Sequence, residues 1–66
     1  MHVNFNGKYE QAPDGTDLLT FLRSRSLEPD KLVVEYNNKI SAREEWSAEP
    51  LRDGDVIVAL TIVGGG

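Results

Sequence analysis

The run Ile62-Val63-Gly64-Gly65-Gly66 closes the sequence, and the group it offers for chemistry is the carboxylate of Gly66. Glycine has no Cβ and loses more backbone freedom on ordering than any other residue, so three in succession do not serve to stabilise a fold. They suit a thin segment that must enter a narrow site. Fully extended, Val63 to Gly66 reaches about 13 Å at about 3.3 Å per residue, enough to carry a carboxyl group from a globular body into another protein's active centre. An unhindered glycyl carbonyl, once activated, is readily attacked. The competing reading of the same residues is an inert frayed end.

Other chemistries find little to work with. The 66 residues include no cysteine, which excludes disulfides, thiolate zinc sites and a thiol nucleophile, so any sulfur chemistry must use some other atom, and the terminal carboxyl carbon is the obvious candidate. His2 is the only histidine; it reads as a surface residue, and no metal site is expected. Glu44 and Glu45 are adjacent, so they cannot face each other across a substrate, and they read as a solvated face. No glycine-rich loop with Lys-Ser or Lys-Thr opens a helix, so ATP, where it is used, belongs to a partner and no bound cofactor is expected. Eleven acidic against seven basic side chains give a net charge of −4, which disfavours nucleic acid and suits a basic protein surface. The longest apolar run is about half of the roughly 20 residues a bilayer demands, and no targeting segment opens the sequence, so a cytoplasmic protein without membrane contact is expected.

The elements that position the tail are legible from pattern. Residues 2–5 and 8–11 read as two strands joined by Asn6-Gly7, a type I′ hairpin signal. Ala12-Pro13-Asp14-Gly15 breaks the strand, and Thr16 is expected to cap a helix running from Asp17 to about Ser26. In it Leu18, Leu19, Phe21 and Leu22 form one apolar stripe, while Arg23, Ser24 and Arg25 face away. Leu27 staples the helix end. Residues 31–36 return as a strand, Asn37-Asn38 turns, and Lys39-Ile40-Ser41 pairs back. One helical turn over Ala42 to Trp46 brings Trp46 under the core, with loop over residues 47–50. Arg52-Asp53-Gly54-Asp55 then delivers a final strand, Asp55 to Val63. That strand is β-branched and apolar at both alternating sets of positions, the pattern of a strand buried at the centre of a sheet. Phe5 is treated as a core side chain.

One domain over residues 1–63, with a flexible tail of Gly64 to Gly66, is the organisation this implies. The order hairpin, helix, strand pair, last strand indicates an α+β fold with one helix packed on a mixed sheet of four to five strands. Placing the first and last strands side by side in the middle makes it a β-grasp.

Over its whole length the chain resembles the ThiS family, the small ubiquitin-like sulfur carriers of thiamine biosynthesis. The matching residues are Asn6-Gly7, Thr16 through Leu22, Val34-Glu35-Tyr36-Asn37, Ile40 through Trp46, Gly54-Asp55 and Val63-Gly64-Gly65-Gly66. The resemblance implies a protein co-substrate rather than an enzyme. A ThiF-like adenylating enzyme would spend ATP to activate Gly66, a cysteine desulfurase would supply sulfur to make a thiocarboxylate, and a ThiG-like thiazole synthase would receive it. Alternation alone leaves the phase of the last strand open. By analogy with ubiquitin-like tails, Ile57 and Ala59 point inward, and Val58, Leu60 and Ile62, followed by Val63, Gly64 and Gly65, form the partner-binding surface. Rival readings are a molybdopterin-type sulfur carrier, a protein modifier joined to lysine, and an interaction domain with inert glycines.

Overall fold

Two asparagine-led turns frame the sheet. In the computed structural model, which describes residues 1–62, Asn6 and Gly7 take φ of 50° and 87° and join β1 (His2–Phe5) to β2 (Lys8–Gln11). Asn37 and Asn38, at 51° and 70°, do the same between β3 (Leu32–Tyr36) and β4 (Lys39–Ser41). Positive φ at both central residues matches the right-handed twist of the flanking strands. The last strand, β5 (Val56–Thr61), enters between the two hairpins and gives the order β2-β1-β5-β3-β4. It runs parallel to β1 and antiparallel to β3, so the sheet is mixed and the fold is the β-grasp expected from the element order.

The helix α1 (Leu18–Ser24) differs from expectation at both ends. Asp17, not Thr16, is its N-cap: the Asp17 carboxylate accepts from the Thr20 N–H at 2.7 Å and the Thr20 hydroxyl at 3.0 Å. Thr16 lies one residue too early and donates its hydroxyl to the Pro13 carbonyl instead. At the other end Ser26 adopts φ 61°. Its N–H reaches the Arg23 carbonyl, and the Leu27 N–H reaches back to Leu22, the paired bonds of a Schellman closure. That closure stops the helix two residues early and seats Leu27 against the core. Arg25 does not face away. Its guanidinium lies 4.5 Å from the Phe21 ring centroid, and Nε donates to Glu10 at 2.7 Å, so the end of α1 is tied to β2.

A 3₁₀ turn at Pro29–Lys31 leads into β3, and a second, Arg43–Ala48, runs past the single turn expected over Ala42 to Trp46. Trp46 is buried under the core as expected, with its indole N–H donating to the Ser41 carbonyl at 3.1 Å. The Leu18 N–H to Glu49 carbonyl and Leu51 N–H to Thr16 carbonyl bonds fasten this segment to the start of α1. Val3, Leu18, Phe21, Leu22, Val34, Trp46 and Ile57 are fully buried between helix and sheet. Phe5 is only half-buried; it meets Phe21 edge-on at 5.3 Å near the rim, while Val3 occupies the centre.

β5 has the phase that the resemblance implied. It is central in the sheet, as read, but buried on one face only: Ile57 and Ala59 are 0% and 8% exposed, whereas Leu60 is 60% exposed. The single helix covers one side of the sheet, and no described element covers the other.

Candidate functional site: the outer face of the last strand

Residues directly opposite one another across paired strands point to the same face. Register therefore builds the outer surface from β5 outward: Leu60 sits opposite Val33, Val58 opposite Glu35, and Glu35 opposite Ile40. On the other flank Val56 sits opposite Asn4, and Asn4 opposite Tyr9. Tyr9, Ile40, Leu60, Ile62 and Val56 are exposed large apolar side chains, and Val58 between them is half-buried. Asn4 and Glu35 interrupt this face, so its continuous apolar part is the β5 stripe of Val58, Leu60 and Ile62 with Val33 beside Leu60; exposed apolar patches on a small protein are candidate interaction surfaces.

The structure brings together Val58, Leu60 and Ile62, with the inward phase of Ile57 and Ala59 that the resemblance implied. Val63, Gly64, Gly65 and Gly66 lie outside the described residues. The sequence reading missed Tyr9, Val33, Ile40 and Val56. Their signal was the period of two in each hairpin strand combined with register, which only pairing supplies.

Three polar devices hold β5 in position. The Asn6 side-chain amide accepts from the Ala59 N–H at 2.8 Å and donates to the Ala59 carbonyl at 3.2 Å. On the opposite flank Asn37 donates its backbone N–H to the Val56 carbonyl and accepts from the Val56 N–H through Oδ1, both at 2.8 Å. The third device is Asp55, a buried carboxylate at the strand's entry. It accepts from the Tyr36 hydroxyl, from Asn37 Nδ2 at 3.2 Å and from the Arg52 N–H at 2.7 Å. Burial first, and then the bond to Asp55, push the Tyr36 phenol far above the ordinary tyrosine range, because ionising it would remove the donor and set two negative groups together. The sequence shows Asn6 and Asn37 as turn residues and Asp55 at the start of the last strand, but not these bonds to β5 and its entry.

The described face combines apolar side chains with Asn4 and Glu35. Among the described residues no group of three or more His, Cys, Asp or Glu is arranged to hold a metal ion, and no helix is long and apolar enough to cross a membrane.

The ThiS family model matches residues 3–66. A crystal structure of a thiamine biosynthesis protein (ThiS) from Geobacter metallireducens superimposes with a TM-score of 0.85 at 26% identity, covering all of both chains. A solution structure of a thiamine biosynthesis protein from the same organism gives 0.79 at 25% identity, covering all of this chain and 88% of that one. A thiazole synthase of Magnetococcus marinus is 32% identical over all 66 residues, and the chain spans 20% of that relative's length.

Proposed function

The chain belongs to the ThiS family, and on that premise we propose that it carries sulfur on Gly66 for formation of the thiazole ring of thiamine. A ThiF-like enzyme joins the Gly66 carboxylate to AMP, releasing pyrophosphate from ATP. The outer sulfur of a persulfide derived from a cysteine desulfurase attacks the acyl adenylate and expels AMP; a thiol on the donor enzyme then cleaves the resulting acyl disulfide, forming a disulfide and leaving a glycyl thiocarboxylate. A ThiG-like thiazole synthase then takes that sulfur into the ring. The chain is consumed and regenerated as a co-substrate; the catalysis belongs to its partners.

The observation that carries this reading is the exposure of Leu60 and Ile62 at the end of a strand pinned on both flanks, one residue short of the Val63-Gly64-Gly65-Gly66 tail. A rigid apolar grip next to a thin reactive end fits an enzyme that holds the body while it works on the terminus. Thiazole synthase is favoured as acceptor over a molybdopterin-forming enzyme because the curated relative bearing a segment like this chain is itself a thiazole synthase. The test loads the chain with labelled sulfur using the adenylating enzyme, ATP and a desulfurase, then offers it to thiazole synthase and, separately, to a molybdopterin-forming enzyme. Label in the thiazole product supports the reading. Label only in the pterin, or conjugation of the chain to lysine, overturns it.

A further inference from the structure

Past Ala59, the side of β5 that faces β1 becomes an open backbone edge, and we propose that an extended segment of the adenylating enzyme pairs with it at Thr61 while the tail is delivered. The proposal rests on the functional reading above and adds to it the place and mode of docking.

An antiparallel ladder exchanges hydrogen bonds only at alternate residue pairs. The Asn37 N–H bonds the Val56 carbonyl, and the Ile62 N–H bonds the Lys31 carbonyl at 2.7 Å. In that register the even-numbered residues of β5 direct their backbone groups to β3, and Ile57, Ala59 and Thr61 direct theirs to the β1 flank. Ile57 is met there by the Asn6 N–H at 2.9 Å. Ala59 is met by the Asn6 side chain, whose amide stands in for one more residue of β1. The main chain has already turned away at Asn6 and Gly7, so β1 offers nothing to Thr61. Among the described residues neither the N–H nor the carbonyl of Thr61 has a hydrogen-bond partner, and the residue is exposed.

Strand addition requires unpaired backbone groups for affinity and alternating side chains for selectivity. Thr61 supplies the first. Leu60 and Ile62, on either side of it and 60% and 54% exposed, supply the second. The occupant is therefore an extended segment with an apolar wall against Leu60 and Ile62, and the chain's net charge of −4 favours one set in a basic surface. The outer edges of β2 and β4 also lack a neighbouring strand, but each lies two strands from β5, too far to register the tail.

The test is residue-resolved amide hydrogen exchange on the wild-type chain, free and saturated with the adenylating enzyme and ATP. The Thr61 amide should exchange quickly in the free chain and slow by at least about tenfold in the complex, while the Leu60 amide, directed at Val33, is protected in both. Thr61→Pro removes the outward N–H and fixes φ; with the fold checked by circular dichroism, it should weaken binding at least about tenfold relative to Thr61→Ala. Unchanged Thr61 exchange in a formed complex, or equal binding of the two variants with retained fold, overturns the proposal. Failure of the wild-type chain to form any complex overturns the functional reading itself, an outcome distinguished by the absence of a complex to read.

Discussion

Asn6 serves two structural purposes with one side chain: its backbone takes the left-handed conformation the hairpin needs, and its amide closes the ladder on Ala59. Asn6→Ala loses both bonds and leaves a residue with no local compensation at positive φ. A loss of about 2 kcal/mol is expected in urea unfolding; no measurable loss would mean the amide is a bystander. Tyr36 supports a pH prediction. Its phenol pKa is raised in the folded state, so the stability it contributes is fully present below the unfolded value of about 10 and is lost as pH rises above it. Tyr36→Phe should be less stable than the parent at neutral pH by about 1–2 kcal/mol and should lose less of its remaining stability on the way to about pH 12. Parallel alkaline profiles for the two proteins would sink the assignment. Neither role is legible in the sequence, because Asn6 bonds a residue 53 positions away and Tyr36 one 19 positions away, and such bonds leave no local pattern.

At the scale of elements, pattern served well where one period dominated. The Leu18, Phe21, Leu22 stripe and both asparagine turns are present as read, because each rests on contacts within a few residues. The helix ends were misplaced because capping is decided by which neighbouring oxygen or N–H is in reach, and Thr16 and Asp17 are chemically similar candidates one residue apart. The last strand shows the limit most clearly. Its all-apolar alternation leaves the phase open; the resemblance supplies Ile57 and Ala59 as the inward set, and one helix for five strands is the tertiary reason the other face stays exposed. Two substitutions separate the faces. Leu60→Asp should leave the circular dichroism spectrum and unfolding midpoint nearly unchanged while weakening partner binding, since burial of one such aliphatic is worth roughly 1.5–3 kcal/mol. Leu22→Asp, fully buried on α1, should unfold the chain. Collapse of Leu60→Asp would place the docking surface elsewhere.

For the whole molecule the proposed division of labour is between a sheet that holds and an end that reacts. Sixty-six residues support one small core, and in it β5 is fixed between β1 and β3. Composition alone leaves the glycines open between a reactive and an inert end; the reactive reading draws its support from the family match and from the strand and apolar face that precede them. The net charge of −4 is compatible with the proposed docking on a basic protein surface. The most direct test of this account is intact-protein mass spectrometry of the chain after incubation with its adenylating enzyme, ATP and a sulfur donor. The account predicts a mass increase equal to replacing one oxygen by sulfur, located at Gly66 by fragmentation and absent when Gly65 and Gly66 are deleted from an otherwise equally stable chain. An unchanged mass, with the enzyme active on another carrier in the same assay, would contradict it.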